Sequence, residues 1–185
     1  MPSHVAEQSD EELAALAARE GSNGLAFGEL VRRFKDRVWR ICYRLMGNEH
    51  DAHDAAQEVF TRLFFQRHKF AGASKYSTWV HGVAVRTCLT LRRSRGRRQR
   101  RVGEIADETL ARHADRHDAG ADASISLAEM LDTLDEDDRA LLILKYAESY
   151  DYEELAEMFG ISVSACKMRI SRAREKLNRR FPDAL

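Results

Sequence analysis

The sequence is almost free of proline, and this scarcity is its first constraint. The two prolines among 185 residues are Pro2 and Pro182, so nothing between them removes an interior helical hydrogen bond as proline would. Cysteine is scarce as well, with Cys42, Cys88 and Cys166 far apart in the chain. An odd, scattered set of cysteines argues against a disulfide framework and fits a reducing compartment.

Long apolar runs are also absent. No stretch approaches the roughly 20 apolar residues that a membrane-spanning helix needs. Hydrophobic residues nevertheless make up 44% of the chain, enough for a packed core in one domain or two small ones. The acidic, alanine-rich start lacks the basic and apolar regions of a secretion signal. We therefore expect a folded cytoplasmic protein.

The periodicity of the hydrophobic residues predicts an all-α fold. Apolar residues recur every three to four positions, and no segment shows the period of two that a half-buried strand would have. The pattern predicts helices over residues 9–19, 25–46 and 51–68, from about 77 into an arginine-rich segment, and over 125–134, 137–147, 151–159 and 163–181. Ser9 and Glu12 fit a capping box at the first helix.

These helices divide the chain into two small domains. Residues 1–24 form an acidic segment with one short helix, and residues 25–101 form the first helical domain. Residues 102–124 have many acids, two glycines and few large apolar side chains, which predicts a flexible acidic linker. Residues 125–185 form the second helical domain.

Charge is distributed very unevenly along a chain whose net charge is zero. Residues 31–101 have a net charge of +13, residues 102–138 of −10 and residues 167–185 of +5. Seven arginines lie within residues 92–101 alone, and such a density repels itself unless an anion is near. Two basic blocks separated by an acidic one indicate two surfaces for a polyanion.

Residues 150–181 predict a helix-turn-helix, because Gly160 supplies a tight turn between two amphipathic segments and Ser162 can cap the second. One stripe of the second helix is apolar: Val163, Cys166, Ile170, Ala173, Leu177 and Phe181. The opposite face carries Ser164, Met168, Ser171, Arg172, Glu175 and Arg179, and the flanks carry Lys167, Arg169, Arg174 and Lys176. Such a helix suits the major groove, with its cations on phosphates and its outer face on base edges. An ordinary basic surface helix is the alternative, and the preceding helix and turn favour DNA binding.

The third helix offers a candidate partner surface. Its buried stripe is predicted to be Ala52, Ala55, Ala56, Val59 and Leu63, with Asp54, Gln57, Thr61 and Phe64 facing the other way. Phe60 and Phe64 either form a partner surface or fill a second side of the core, and the residues alone leave both open.

The loop that follows combines aromatic, basic and small polar residues from Phe70 to Trp79. Rings that stack on bases beside cations that hold the backbone are typical of single-strand binding. We expect Trp79 to pack in the core and the small polar loop residues to be functional.

Catalytic and metal sites find no support in the sequence. The cluster His50, Asp51, His53 and Asp54 and the pair His113 and His117 lack a convincing further ligand. Phosphate-binding, nucleophile-elbow, zinc-protease and dinucleotide motifs are absent. We therefore expect neither an enzyme nor a protein with a cofactor or metal.

The chain resembles the extracytoplasmic-function (ECF, group IV) sigma factors of the sigma-70 family over roughly residues 25–181. Residues 27–64 resemble the polymerase-binding part of region 2, and residues 69–98 resemble its promoter-melting part. Residues 131–177 resemble region 4. The signal is specific because DAHDAAQEVF, STWV and AREKL occur in order at the family's usual distances. The resemblance implies a region 2 helical bundle and a region 4 helix-turn-helix.

The resemblance also implies partners and roles: core RNA polymerase, promoter DNA and an anti-sigma factor. The polymerase clamp helices would contact Asp54, Gln57, Glu58 and Phe60. The −10 element would be opened and held by Gly72, Ala73, Ser74, Lys75, Tyr76, Arg86, Arg92 and Arg93. The −35 element would be bound by Ser164, Lys167, Met168, Arg169, Ser171, Arg172 and Arg174. Arg86 stands where the family often has Asn, so the preferred −10 base does not transfer.

Two other classes compete with a promoter-specificity factor. A self-sufficient helix-turn-helix regulator would explain residues 150–181 but leaves residues 51–101 unexplained, and the sequence shows no sustained heptad seam for a dimer. A helical adaptor that binds acidic proteins through its arginines would leave the helix-turn-helix unexplained.

Overall fold

The structure is a computed structural model that describes residues 6–21, 24–106 and 127–182. Within these ranges it contains helices and connecting turns, and no strand. In chain order the helices are α1 (Asp10–Arg19), α2 (Leu25–Met46), α3 (Glu49–Gln66), a 3-10 turn (Arg67–Lys69), α4 (Tyr76–Ala106), α5 (Leu127–Leu131), α6 (Glu136–Tyr146), α7 (Tyr152–Phe159) and α8 (Val163–Arg180). The predicted all-α fold is confirmed.

Local sequence signals explain where the first helices begin and end. Ser9 and Glu12 form the predicted capping box at the start of α1. Gly47 ends α2 with a φ of 84°, a left-handed conformation that glycine adopts at little cost. Asn48 then accepts a hydrogen bond from the Asp51 backbone N–H and starts α3. Helices α1 to α4 pack around one apolar core.

The C-terminal helices follow equally clear signals. Asp151 and Glu154 form a capping box at α7, and Gly160 ends that helix with a φ of 66°. Ser162 caps α8 by accepting from the Ala165 backbone N–H. The buried side chains of α6, α7 and α8 include Leu141, Leu144, Leu155, Met158, Ile170 and Leu177. This is the predicted helix-turn-helix, held by a supporting helix.

The long helix α4 differs from the sequence prediction at its end. It continues to Ala106 and so enters the segment predicted as linker from residue 102. Neither Gly96 nor Gly103 breaks it, since a single glycine costs an interior helix only about 1 kcal/mol. Residues 107–126, which hold the rest of the predicted linker, lie outside the described residues.

The two groups of helices lie against each other. Helix α4 packs against α7 and α6, and α2 packs against α6. The sequence predicts two domains and a linker but contains no periodic signal for this contact. The contact brings the basic helices of the N-terminal group beside the acidic start of α6.

Candidate nucleic-acid interface

The second helix of the helix-turn-helix, α8, presents the predicted face to solvent. Cys166, Ile170, Ala173 and Leu177 are buried on the supporting side, as the apolar stripe predicts. Ser164, Lys167, Ser171 and Arg172 are exposed, and the Met168 side chain is 53% exposed although it is apolar. An exposed row of small polar, basic and thioether side chains can approach base edges without first unpacking the domain.

The basic residues on the flanks of α8 differ in whether they form an ion pair. Lys167 lies with its Nζ 5.3 Å from the centre of the Tyr152 ring, and Arg174 lies 5.7 Å from the centre of the Tyr146 ring. Both remain exposed and available to phosphates. Arg169 is engaged, because its guanidinium lies 2.7 Å from the Asp138 carboxylate.

The predicted melting loop, residues 72–76, is largely exposed, and Tyr76 is its one buried residue. Gly72, Ala73 and Lys75 are exposed and Ser74 is half-buried. Tyr76 corrects the expectation of a DNA contact, because its side chain is only 2% exposed and packs edge-on against Phe34 and Phe70. Its ring belongs to the core since α4 begins at that residue and turns it inward.

Trp79 and Phe70 pack together beside this core. Their ring centres are 5.7 Å apart, and both side chains are half-buried against it. The expected core position of Trp79 is therefore confirmed in part, because the residue packs against the core but is only half-buried.

The predicted DNA-binding arginines of α4 contact the C-terminal helices. Arg86 donates from Nη1 to the Met158 backbone carbonyl at 2.9 Å. Arg92 forms an ion pair with Glu136, and Arg93 forms one with Asp137. In this arrangement Arg86, Arg92 and Arg93 each contact the C-terminal helices, while Arg86 and Arg93 also remain partly exposed.

The acids at the start of α6 therefore do more than offset the helix dipole. The N-cap residue Asp135 makes no side-chain capping hydrogen bond. The expectation of a plain capping role for Asp135–Asp138 is too narrow, because three of these carboxylates form ion pairs with arginines of α4 and α8. The charge pattern alone could not show which arginines they meet.

A shallow groove of about 660 Å³ runs between α2 and α3. Gln57 and Phe60, two of the predicted partner contacts, line it together with Val31, Lys35, Asp36, Trp39, His53, Ala56 and Thr61. Asp54 is exposed beside it, and Glu58 pairs with Arg62 at 2.7 Å. The groove thus combines an amide and two aromatic side chains with charges of both signs, and aromatic side chains are enriched at protein interfaces.

Trp39 is a groove residue that the sequence reasoning missed. Its ring stacks on Tyr43 with centres 5.1 Å apart, and both side chains are more than a third exposed. The signal was present as two aromatic residues four positions apart on the polar side of α2, where they are neighbours on the helix surface.

A buried polar cluster lies where the two groups of helices meet. The Glu148 side chain is 3% exposed and lies 3.2 Å from Arg37, 3.9 Å from Arg40 and 3.4 Å from Arg44. Two residues later, the Tyr150 hydroxyl lies 2.9 Å from His81 Nδ1. Sequence reasoning found none of these residues, because each looks like an ordinary surface or core position in its own helix.

The surroundings of His81 determine its charge state in this cluster. Arg37 donates from Nε to the Tyr150 hydroxyl oxygen at 3.0 Å, and its guanidinium lies 4.8 Å above the Tyr150 ring. The hydroxyl can in turn donate its proton to His81 Nδ1 in the tautomer that carries the imidazole proton on Nε2. Burial, aided by the positive charge of Arg37, lowers the pKa of His81 to about 4, so the imidazole is neutral at physiological pH.

The described residues contain neither a candidate metal site nor a membrane-spanning helix. There, no group of three or more histidine, cysteine or acidic side chains is arranged to hold a metal ion, and His113 and His117 fall outside these ranges. None of the described helices is long and apolar enough to cross a membrane.

Comparison with known proteins agrees with this geometry. Residues 30–98 match the family model for Sigma-70 region 2, and residues 124–177 match that for Sigma-70, region 4. The ECF RNA polymerase sigma factor SigW of Bacillus subtilis is 33% identical over 171 residues, which cover 85% of this chain and 90% of SigW. SigE of Mycolicibacterium smegmatis is 34% identical over 157 residues, which cover 82% of this chain and 60% of SigE.

Solved structures share the fold. CnrH, solved in complex with the cytosolic domain of CnrY, has a TM-score of 0.62 at 24% identity, covering 93% of this chain and 96% of CnrH. The sigma factor RpoE of Bartonella quintana, solved with the anti-sigma factor NepR, has a TM-score of 0.58 at 22% identity, covering 83% and 94%. The chain belongs to the ECF family of sigma-70 RNA polymerase sigma factors, and its function is promoter-specific transcription initiation.

The pKa of His81 predicts a pH dependence of stability. Because the folded state holds this pKa near 4, below the 6.5 of an unfolded chain, stability is full above about pH 6.5 and falls as the pH drops toward 4. Between about pH 7.5 and about pH 5, the free energy of unfolding should fall by about 1–2 kcal/mol more in the wild type than in His81→Gln. Urea unfolding of both proteins at each pH measures this difference, and equal losses would show that His81 is not the titrating group.

Proposed function

We propose that this chain initiates transcription by docking on core RNA polymerase through the α2–α3 groove and by contacting promoter DNA through α8 and the loop before α4. The observation that carries the proposal is that one chain combines an exposed helix-turn-helix face with a separate, open groove for a protein. A regulator that binds DNA unaided would need the first feature and has no use for the second.

The N-terminal helices support the docking and melting roles. Gln57 and Phe60 line the groove, so the polymerase clamp helices are its proposed occupant, with Asp54 and Glu58 at its margin. The loop of Gly72, Ala73, Ser74 and Lys75, in which all but the half-buried Ser74 are exposed, would hold a flipped base of the −10 element. Flipping costs a few kcal/mol of lost stacking, which contacts in such a pocket must offset.

The C-terminal helices support −35 recognition. Ser164, Met168, Ser171 and Arg172 form the exposed row that would face the base edges, while Lys167 and Arg174 would neutralise phosphates. Arg169 would join them once it leaves Asp138. Domain bounds of 25–101 and 125–185, with an acidic linker between, would let both units reach one promoter.

We also propose an anti-sigma factor as a partner and the cytoplasm as the place of action. The structural relatives CnrH and RpoE were solved with CnrY and with the anti-sigma factor NepR, which supports an anti-sigma factor as a partner here too. The chain would act without catalysis of its own, because polymerase supplies the chemistry. Its place would be the cytoplasm, where polymerase and chromosome meet.

Transcription in vitro tests the function as a whole. Purified core polymerase, with fragmented genomic DNA of the source organism as template, should produce new, discrete transcript starts only when this protein is added. The starts should share sequence elements near −35 and −10. Binding of the protein to DNA without polymerase, together with no new starts, would favour the conventional regulator instead.

The groove assignment predicts the effect of a double substitution. Gln57→Ala with Phe60→Ala should weaken binding to core polymerase by about 2 kcal/mol or more, because truncating the centre of a protein interface is costly. Arg19→Ala, at an exposed position on α1, is the control and should bind as wild type does. Titration of labelled protein with core polymerase measures both. Unaltered affinity of a folded double variant would show that the docking face is misplaced.

The α8 assignment predicts a loss of base recognition. Arg172→Ala should weaken −35 recognition by about 1–3 kcal/mol, as expected for the loss of a base contact. Lys176→Ala removes an equal charge from the same exposed helix and should reduce binding to all sequences alike. Competition between matched and mutated −35 sequences, measured with holoenzyme, separates the two. Unchanged selectivity in Arg172→Ala would contradict the contact.

A further inference from the structure

We propose that the C-terminal helices act as an internal substitute for DNA: in the free protein, carboxylates of this unit occupy arginines of the N-terminal unit and hold the two together. The groove for polymerase stays open in this closed form. The inference rests on the proposed function for the meaning of the occupied arginines, while the closed contact itself is independent of it.

The first part of the contact covers the basic stretch of α4. Arg92 pairs with Glu136 and also donates from Nη1 to the Leu45 backbone carbonyl at 3.0 Å. Its side chain is only 19% exposed as a result. Arg93 pairs with Asp137, the next residue of α6. A phosphate that binds these guanidinium groups would compete with the carboxylates, most strongly at Arg92, because the Arg93 side chain is 48% exposed.

The second part covers the predicted melting face of α4. Arg86 donates to the backbone carbonyl of Met158, near the C-terminal end of α7. Helix α7 therefore lies across α4 where the −10 element is expected to lie. DNA and α7 cannot occupy that face together.

The third part fixes the orientation of the contact. Arg37, Arg40 and Arg44 lie on one face of α2 and all point to the carboxylate of Glu148. Ser149 has a φ of 58°, an uncommon left-handed conformation for a residue with a side chain. With this turn between them, Glu148 meets the arginines while Tyr150 inserts between Arg37 and His81.

The same acidic turn also engages the recognition helix. Asp138 lies 2.7 Å from Arg169 of α8, and Asp137 lies 3.8 Å from it. Asp137 thus faces an arginine from each of the two DNA-binding elements. One cluster of carboxylates neutralises part of both basic blocks, as a stretch of promoter phosphates would.

The polymerase groove lies on the other side of α2. Lys35 and Trp39 line it, and each is two residues from Arg37, which places it about 160° around a helix from that arginine. Polymerase could therefore dock on the closed protein. Opening would return Glu148 and its partners to water, and this hydration offsets much of the lost pairing, so the contact can be reversible.

Neutralising the acidic turn tests the proposal. The lock variant Glu136→Gln with Asp137→Asn should open the free, full-length protein, and its radius of gyration in small-angle scattering should exceed that of wild type. Its apparent Kd for a fluorescein-labelled DNA duplex, without polymerase, should fall about tenfold, because apparent affinity scales with the open fraction. Tyr150→Phe, which changes no charge, should shift both readouts in the same direction.

The control variant Glu153→Gln with Glu157→Gln removes the same charge from exposed positions on α7. It should keep the wild-type radius and bind DNA less tightly than the lock variant at equal salt. Lock and control variants that match in both readouts would overturn the proposal, as would an opened lock variant without tighter DNA binding. Scattering reports the contact even if the chain did not serve polymerase, and transcription with core polymerase reports the function even if the free chain were open.

Discussion

A carboxylate buried between two helical units determines how the described parts of this protein are arranged. Removing a charged group from water costs several kcal/mol unless partners surround it. Glu148 is 3% exposed, and its partners Arg37, Arg40 and Arg44 all belong to one face of α2. The C-terminal unit therefore has one favourable position on α2, and the left-handed turn at Ser149 helps to set it. The same placement brings α6 and α7 against α4.

The charge of the chain has two uses in this arrangement. When the two helical units are apart, their basic segments are surfaces for DNA, since phosphates attract clustered lysine and arginine. Together, part of their charge is paired with three acids of α6, Glu136, Asp137 and Asp138, in a chain whose net charge is zero. Arginines that meet carboxylates in the free protein would exchange them for phosphates on a promoter. Binding then depends on the difference between two sets of ion pairs, which keeps the free protein from adhering to DNA at large.

Much of the fold follows from the sequence because its signals are local. Ser9 with Glu12, Gly47, Gly160 and Ser162 each fix a helix end through their own neighbours, and the apolar stripe of α8 follows from spacing alone. The groove was predicted only in part, since Trp39 and Gln57 line it from two different helices. Tyr76 was misplaced because a one-residue shift in a helix start turns a loop side chain inward. The pairing of Glu148 with arginines about a hundred residues away has no local signature at all.

Energy transfer between two dyes tests most directly whether the protein is closed when free and open on a promoter with polymerase. The exposed residues His68 and Asn178, one in each unit, can be replaced by cysteine for labelling, while the three native cysteines are buried. We expect efficient transfer in the free protein, no change with DNA alone at low concentration, and a marked loss when core polymerase and promoter DNA are added together. Inefficient transfer in the free protein, or transfer that stays unchanged in the complex with polymerase and promoter, would contradict the account.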